Sequence, residues 1–349
     1  MLGIRRIGLW HTRHSATHFA SVLILLGACT FGCEHAAAEN VKIGTVKTAG
    51  GGPLYIAQER GYFAAEGVPA ELVFFESSQP GAVAAVTGAI DIGMMSTTGG
   101  LYSLAGQGAL RIIAGAAREV PGVHYFAYLA SGRAYEAGLK SPKDLAGHAV
   151  AITQIGSPIH YILGLLADKY QFDLKSTRLL PLQSIPNAMS AVIGGEADAT
   201  VLPMQPTFPA MIQKGDLRVV GWVGDETPWQ VYAAFTATKT ADQRSDTVAR
   251  FLRAYRKGVR DYHDAFTGPG EIPRDGPTAT DIVAIIAKYT GLTVEDVKLG
   301  VPYYDPDARL DVKDILHQIA WYKSQGMVKP EVNGDQIIDK RYVISLSER

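Results

Sequence analysis

The sequence is poor in cysteine and carries no excess of one charge. Its 349 residues contain two cysteines, Cys29 and Cys33, both close to the N-terminus. Removal of that segment would exclude disulfides, thiolate metal sites and cysteine nucleophiles. The 33 Lys and Arg residues are balanced by 34 Asp and Glu residues, a formal net charge of −1. This balance gives no basic surface of the kind that binds nucleic acid.

Signature motifs of common enzyme classes are also missing. The sequence contains no Gly-x-Ser-x-Gly, P-loop, Gly-x-Gly-x-x-Gly or His-Glu-x-x-His. Ser157 lies three residues before His160, but the sequence does not identify the orienting acid or the oxyanion hole that a serine nucleophile needs. We therefore expect a protein that is not an enzyme and that binds neither a metal nor a cofactor.

The N-terminal residues have the three-part pattern of an export signal. Arg5, Arg6 and Arg13 precede an apolar run from Phe19 to Gly32, and small residues follow up to Ala38. The run is shorter than the roughly 20 residues of a membrane-spanning helix. We expect Sec export to the periplasm and cleavage after Ala38. Leu26-Gly27-Ala28-Cys29 leaves open a lipoprotein acylated at Cys29.

One pattern occurs twice in the rest of the chain. A strand at 41–46 leads through a glycine-rich loop to a helix that opens at Pro53, and a strand at 149–153 leads to a helix that opens at Pro158. In each copy a further strand begins at an aspartate, 38 positions after the proline in the first copy and 40 in the second. Two copies of one βαβ-type unit predict two similar α/β lobes with a cleft between them.

Two apolar extended segments join the copies and predict two hinge strands, Tyr125 to Leu129 and Val231 to Thr236. The first lobe is placed at 41–122 plus 237–330 and the second at 123–236, and residues 331–349 form a C-terminal tail. Helices at 245–265 and 312–323 are expected to complete the first lobe. The fold class is therefore α/β, with two lobes.

The sequence resembles the nitrate/sulfonate/taurine and thiamine-pyrimidine-precursor binding family. The resemblance rests on three segments, 53–63, 88–93 and 140–151. It implies the two-lobe type II periplasmic binding protein fold, and a solute-binding protein that delivers a small molecule to the permease of an ABC transporter. Enzymes with this fold that make the thiamine pyrimidine carry a cysteine-rich motif, which a mature chain without cysteine lacks.

Ligands of open α/β sheets bind beyond the carboxyl ends of the strands, where loops lead into helices. Six turns of this kind present uncommitted N–H groups and the partial positive charge of a helix start, which together hold an anion. The predicted ligand-binding residues lie in these turns and beside the hinge strands: Lys47, Thr48, Ala49, Gly50, Tyr55, Ser77, Ser78, Gln79, Ser96, Thr97, His124, Ser157, His160, Asn187, Gln205 and Trp229.

Each of these assignments has a structural alternative. A serine or threonine at a helix start is often a cap that bonds to its own helix. Lys47 is expected to pair with an anionic group, although surface lysines are usually solvated. Trp229 follows a proline in a polar loop and is a candidate for stacking on the ligand. His160 is expected to donate to the ligand, or else to be a buried structural histidine.

The sequence leaves more than one class of ligand open. Rings near the cleft and several helix starts favour an organic acid, with aromatic acids among the candidates, while a pyrimidine or another vitamin precursor is the alternative. A ligand sensor for a membrane receptor would use the same cleft. A LysR-like effector domain has a similar two-lobe form, but it would follow a basic helix-turn-helix rather than an export signal. We expect a monomer.

Overall fold

The computed structural model describes residues 40–204 and 208–346, and its first sheet has five strands. The predicted signal segment and Gln205 lie outside the described residues. The sheet order is β2-β1-β3-β12-β4. These strands are β1 (Val41–Val46), β2 (Ala70–Phe75), β3 (Ile92–Ser96), β4 (Leu110–Gly115) and β12 (Tyr232–Ala237). Strands β1, β2 and β3 are parallel, and β12 runs antiparallel between β3 and β4.

The second sheet repeats this arrangement strand for strand. It contains β6 (Phe126–Ser131), β7 (Ala149–Ile152), β8 (Arg178–Pro181), β9 (Ala199–Pro203) and β10 (Leu217–Trp222). Its order, β8-β7-β9-β6-β10, places β7 between two parallel neighbours and β6 antiparallel between β9 and β10. Each sheet with the helices packed on it forms one lobe. The repeat read from the sequence and the two-lobe α/β fold are confirmed.

The lobes are joined where two short strands pair. These are β5 (Arg118–Glu119) and β11 (Trp229–Gln230), which run antiparallel to each other. The hinge strands predicted at 125–129 and 231–236 fall largely within β6 and β12 of the main sheets, so their placement was wrong. Both strands are fully buried, which explains their apolar sequences, whereas two-residue strands are too short to leave a pattern.

Strand β12 belongs to the first sheet, so the chain returns to the first lobe before residue 232 rather than after 236. The other predicted lobe boundaries, 41–122 plus 237–330 and 123–236, remain a proposal. Residues of the predicted C-terminal tail contact the first sheet, because Ile338 pairs with Ile112 and Asp339 N–H donates to the Ile112 carbonyl at 2.9 Å.

Helices cover both sheets. Those that follow strands of the first sheet are α1 (Gly52–Glu59), α2 (Tyr62–Ala65), α3 (Gln79–Thr87) and α4 (Gly99–Gly106). Those of the second lobe are α5 (Gly132–Glu136), α6 (Pro158–Tyr170), α7 (Ile185–Ile193), α8 (Phe208–Lys214) and α9 (Val223–Glu226). The remaining helices are α10 (Thr238–Gln243), α11 (Ser245–Phe266), α12 (Ala279–Thr290), α13 (Val294–Leu299), α14 (Val312–Ser324) and α15 (Gly334–Ile337).

The long C-terminal helices agree with their predicted limits to within one residue. Helix α11 buries one face at helical spacing, including Phe251, Leu252, Tyr255 and Val259, and packs on α1. Within residues 40–204 and 208–346, no helix combines the length and apolar character required to cross a membrane.

Helix α14 connects the lobes. On the second-lobe side it packs against α6, where Trp321 lies over Gly164 and leaves no space for a Cβ atom. The Tyr322 hydroxyl donates to the Ser157 carbonyl at 3.2 Å. On the first-lobe side Gln318 is fully buried. A rotation of one lobe relative to the other therefore has to accommodate α14.

Gln318 uses both ends of its side-chain amide. Its carbonyl oxygen accepts from the Thr97 hydroxyl at 2.5 Å and from the Tyr102 hydroxyl at 2.8 Å. Its NH₂ group donates to the Gln230 carbonyl at 3.0 Å and to the Asp314 carboxylate at 2.7 Å. One side chain thus links the end of β3, helix α4 and the crossing strand β11.

Candidate functional site

The carboxyl ends of the parallel strands of both sheets face a common cavity. The empty space between its lining atoms is about 380 Å³, including the part open to solvent. This is the location at which open α/β sheets bind ligands. Its lining residues are Val46, Ser77, Ser78, Ser96, Phe126, Thr153, Pro158, Ile159, Ile185, Leu202, Pro203 and Tyr232.

The first lobe contributes a wall rich in hydroxyl groups. Ser77 and Ser78 follow β2, and Ser96 ends β3. Ser77 is 6% exposed and Ser96 is 3% exposed. Within the described part of the chain, the hydroxyls of all three serines make no hydrogen bond. They are therefore available to a ligand.

The second lobe contributes a wall that is mostly apolar. Phe126 begins β6, Leu202 lies near the end of β9, and Ile159 and Ile185 lie in the first turns of α6 and α7. Thr153, just beyond β7, is the polar residue that this wall adds to the described lining. The two walls therefore differ in chemistry, and a solute between them meets hydroxyls on one side and hydrocarbon on the other.

A cluster of three hydroxyls lies beside the cavity. The Thr48 hydroxyl is 2.9 Å from that of Tyr125 and 3.1 Å from that of Tyr232, and the two tyrosine oxygens are 3.2 Å apart. Burial raises the pKa of both tyrosines. Because Tyr232 directs its hydroxyl toward Thr48 and Tyr125, the cluster fixes the ring of Tyr232 at the cavity wall.

No charged side chain is among the described residues that line the cavity. Lys47 follows Val46 at the end of β1, but it is exposed and does not line the cavity. An anion here would rely on hydroxyls and on backbone N–H groups at helix starts rather than on a lysine or arginine.

Of the predicted ligand-binding residues that the structure describes, which exclude Gln205, three line the cavity: Ser77, Ser78 and Ser96. Thr48 supports Tyr232 as described, and Ala49 and Gly50 are buried beside it. Tyr55 belongs to the core, where it stacks on Tyr289 with ring centroids 5.0 Å apart. The hydroxyl of Thr97 is committed to Gln318.

The second-lobe candidates mostly serve the fold. Ser157 caps α6 by accepting from His160 N–H at 3.4 Å, and the Nδ1 atom of His160 accepts from Gly156 N–H at 3.2 Å. His160 is 5% exposed. Burial lowers its pKa to about 4, so that it is neutral at physiological pH. His160 is thus a buried histidine that packs edge-on against Trp321.

Trp229, predicted to stack on the ligand, is 2% exposed and packs against Tyr161 and Phe126. It is buried because it lies in the crossing strand β11, opposite Glu119. His124 lies on the surface, where it stacks on Trp222 with ring centroids 4.4 Å apart. Asn187 donates to the Leu182 carbonyl at 2.9 Å and does not line the cavity.

The carboxamide oxygen of Gln79 is buried, and no described residue donates a hydrogen bond to it. Gln79 opens helix α3 but does not line the cavity.

The sequence prediction missed most of the apolar wall. Phe126, Ile159, Ile185 and Leu202 look like core residues in the sequence, since each lies in or beside an apolar segment. The sequence did contain a signal for their position, because each lies at a strand end or helix start that faces the cleft.

In the described chain, no group of three or more His, Cys, Asp or Glu side chains is arranged to hold a metal.

Comparison with known proteins adds a family and several related folds. Residues 50–269 match the family model described as NMT1/THI5 like. No curated protein matches the sequence.

Solved structures with a similar fold include the alkanesulfonate-binding protein SsuA of Xanthomonas axonopodis pv. citri bound to MOPS. That structure is 18% identical over 86% of this chain and 98% of its own, with a TM-score of 0.67. The aliphatic sulphonate binding protein SsuA of Escherichia coli is 18% identical over 89% and 94%, with a TM-score of 0.65. The nitrate-binding protein NrtA of Synechocystis PCC 6803 is 14% identical over 87% and 86%, with a TM-score of 0.67.

Proposed function

Because the chain belongs to the NMT1/THI5-like family and has the periplasmic-binding-protein fold, we propose that it is the extracytoplasmic solute-binding component of an ABC importer. In this role it captures a small organic anion, a sulfonate or a carboxylate, between its lobes. It delivers the anion to a permease in the inner membrane. It acts as a monomer, without a cofactor and without catalysing a reaction.

The observation that carries this proposal is the cavity between the two sets of strand ends. Its lining comes from both lobes, with Ser77, Ser78 and Ser96 on one side and Phe126, Ile185 and Leu202 on the other. Neither wall alone encloses a solute, so that full desolvation requires both lobes.

An organic anion fits this lining although it contains no cation. The first N–H groups of a helix have no intrahelical partner and carry a partial positive charge. Unpaired serine hydroxyls add further donors. The apolar wall accepts the hydrocarbon part of the solute, whose transfer out of water drives binding.

Closure of the lobes couples binding to transport. Contacts between the lobes already exist at the cleft, because Gly99 N–H at the start of α4 donates to the Gly156 carbonyl at 3.0 Å. A solute that contacts both walls favours the closed arrangement, since only that arrangement provides both sets of contacts. The permease would then distinguish loaded from empty protein by its shape.

A thermal-shift screen tests the ligand class. Alkanesulfonates, aromatic sulfonates, aliphatic and aromatic carboxylates and vitamin precursors are each added to the purified protein. A ligand that binds the folded state raises the melting temperature, by an amount that grows with its concentration. We expect stabilisation by at least one sulfonate or carboxylate. A panel in which no compound stabilises the protein would contradict the proposal.

A cavity-filling variant tests the location of binding. Ser78→Trp places a ring at the cavity wall and should abolish the shift produced by the ligand found in the screen. Ser190→Trp is the matched control, because Ser190 is exposed on α7 and does not line the cavity. Equal ligand binding by both variants would place the site elsewhere.

Small-angle X-ray scattering tests closure. Addition of the ligand should reduce the radius of gyration while far-UV circular dichroism stays unchanged, because closure moves rigid lobes. An unchanged radius, together with ligand contacts from a single lobe in a crystal structure, would exclude the two-lobe mechanism.

A neutral pyrimidine or another vitamin precursor is the second candidate ligand. The absence of charged side chains from the described lining favours it, because an uncharged ring needs hydroxyl partners and an apolar surface but no counter-ion. The same screen separates the two candidates. Stabilisation by such compounds without any response to sulfonates or carboxylates would replace the anion by the neutral ligand.

Export is a separate part of the proposal. The mature protein should begin at Glu39 and contain no thiol, because both cysteines precede the expected cleavage site. Intact-mass measurement of the extracytoplasmic protein checks this. A membrane-bound form acylated at Cys29 would replace the soluble form, and a full-length cytosolic chain would overturn the assignment.

A further inference from the structure

In the described part of the chain, four helices begin at the edge of the cavity, but their N-terminal turns are not equivalent. In three of them a serine or threonine hydroxyl caps the helix by accepting a hydrogen bond from a backbone N–H of the first turn. Thr98 accepts from Leu101 N–H at the start of α4, Ser157 caps α6, and Ser184 caps α7 by accepting from Asn187 N–H at 3.2 Å. At the start of α4, Gly99 N–H is also occupied by the Gly156 carbonyl.

Helix α3 differs from the other three. Its first residues are Gln79 and Pro80, and the preceding Ser78 makes no capping hydrogen bond. The backbone of Ser78 is helical, with φ −76° and ψ −21°. A cap needs an extended residue at this position to turn its hydroxyl back to the helix. Pro80 has no N–H, and Gly81 N–H donates to the Ser78 carbonyl at 3.2 Å, so the helix amide left for another partner here is that of Gln79.

The side chains around this helix start indicate where that partner lies. Ser77 and Ser96 are both more than nine-tenths buried, line the cavity, and have hydroxyls that bond to no described residue. Their oxygens are not among the buried polar atoms that lack a partner, so each hydroxyl is accessible from the cavity, where a ligand or water can bond to it. Three unpaired hydroxyls and an uncapped helix start thus meet at one side of the cavity.

We propose that the two lobes divide recognition of the solute: its anionic head binds at the start of α3, against Ser77, Ser78 and Ser96, and its apolar body lies against the second lobe. This assignment deepens the proposed function and rests on it. The body contacts Phe126, Ile159, Ile185 and Leu202. The solute is then an amphiphile, with one small acceptor group and a hydrocarbon or ring body.

Calorimetric titration with a homologous series separates head from body. The probes are 1-alkanesulfonates of increasing chain length and the matching alkanecarboxylates, titrated into the full mature chain. In the wild type, affinity should increase about fourfold for each methylene that reaches the apolar wall. The ratio of sulfonate to carboxylate affinity reports on the head.

The first set of variants addresses the head. Ser77→Ala, Ser78→Ala and Ser96→Ala should each lower the affinity of every probe about tenfold or more, because a hydrogen bond to a charged group is lost. The gain per methylene should be unchanged, while the sulfonate-to-carboxylate ratio shifts. Ser78→Thr keeps a hydroxyl and should restore most of the affinity.

The second set of variants addresses the body. Ile185→Ala and Leu202→Ala should reduce the gain per methylene and leave the sulfonate-to-carboxylate ratio unchanged. Ser184→Ala is the control, because its hydroxyl is used in capping α7 and does not line the cavity. It should alter neither quantity. Melting temperatures of all variants establish that each is folded.

The outcomes separate this inference from the function on which it rests. If no probe binds the wild type, the proposed anion-binding function fails, and the division of the site fails with it. If the probes bind but the serine variants reduce the gain per methylene, or the second-lobe variants change the head ratio, only the division is overturned.

Discussion

The two lobes repeat one strand–turn–helix unit, yet they use the hydroxyl residues of its turns differently. In the second lobe Ser157 and Ser184 cap the helices that they precede. In the first lobe Ser78 leaves α3 uncapped, and the Thr48 hydroxyl contacts Tyr125 and Tyr232 instead of a helix. At the matching positions Ser78 and Ser184, the same residue type thus leaves its helix uncapped in the first lobe and caps its helix in the second.

The difference comes from the backbone rather than from the residue type. Ser184 is extended, with φ −139° and ψ 159°, and its hydroxyl reaches the third amide of α7. Ser78 has helical angles, and its hydroxyl cannot make that bond. A serine before a helix is therefore assigned as a cap or as a binding residue by its ψ angle, which the sequence alone does not supply.

The lobes also differ where the third strand of each sheet ends. The first lobe has Ser96 and Thr97 after β3, and the second has Pro203 and Met204 at the end of β9. In the first lobe the hydroxyl of Thr97 is buried at this point and needs a hydrogen-bond partner. Gln318 satisfies it.

Gln318→Leu should therefore lower the free energy of unfolding by roughly 3 to 5 kcal/mol, because each unsatisfied group costs about 1 to 3 kcal/mol. It removes the acceptor shared by the Thr97 and Tyr102 hydroxyls and one of the donors to Asp314, which keeps Gln230 N–H. Urea denaturation measures the loss. The exposed Gln336 provides the control, and Gln336→Leu should change stability by less than about 0.5 kcal/mol. A loss below about 1 kcal/mol for Gln318→Leu would contradict the role given to this network.

A second comparison concerns one residue in the first turn of the helix that follows the first strand of each sheet. This residue is Tyr55 in the first lobe and His160 in the second, each two positions after a proline. The Tyr55 hydroxyl donates to the Thr48 carbonyl at 3.1 Å. Burial lowers the pKa of His160 to about 4, below the usual value near 6.5. Acid is therefore expected to affect the second position alone.

The unfolded chain takes up a proton at His160 as the pH falls through about 6.5, whereas the folded protein does so only near pH 4. The stabilisation that comes from neutral His160 is therefore complete above about pH 6.5. It is lost as the pH falls toward 4, and the total loss is at most about 3 kcal/mol. Urea denaturation of the wild type and of His160→Gln across this range should give curves that converge in acid.

Tyr55→Phe is the control. It should change the free energy of unfolding by an amount that is the same at every pH in this range. Burial raises the pKa of the Glu119 and Asp314 carboxyls, which act in the opposite sense. Their effect cancels in the difference between wild type and variant. Parallel curves for the wild type and His160→Gln would show that His160 is not held neutral.

The sequence predicts the fold well because the fold depends on patterns that are repeated and local. Apolar strands, proline-started helices and the aspartate before β3 occur in both copies, so the two lobes follow from counting alone. The hinge was misplaced for the opposite reason. Strands β5 and β11 have two residues each, and their pairing across more than a hundred positions leaves no local pattern.

The candidate site was predicted only in part. Ser77, Ser78 and Ser96 were found because they follow strand ends, and they line the cavity. Ile185 and Leu202 were missed because a residue that contacts a ligand and one that contacts the core have the same hydrocarbon character. Trp229 was assigned to the cavity although it is buried at the lobe crossing, which is fixed by long-range pairing.

The smallest expected effect tests the comparison of the turns directly. Ser157→Ala and Ser184→Ala should each lower the free energy of unfolding by about 1 kcal/mol, because each removes a helix cap. Ser78→Ala should change it by less than about 0.5 kcal/mol, because its hydroxyl caps nothing. Urea denaturation without ligand, at one pH, measures all three.

Thr98→Ala decides whether the difference belongs to the lobe or to the backbone. Thr98 lies in the first lobe, but its backbone is extended, with φ −139° and ψ 162°, and its side chain accepts from Leu101 N–H. If the ψ angle determines capping, Thr98→Ala should cost about 1 kcal/mol, like the second-lobe serines. A loss as small as that of Ser78→Ala would instead show that first-lobe turns tolerate the change whatever their conformation. A loss of about 1 kcal/mol for Ser78→Ala would show that Ser78 stabilises its helix after all, and its hydroxyl would no longer count as free for a ligand.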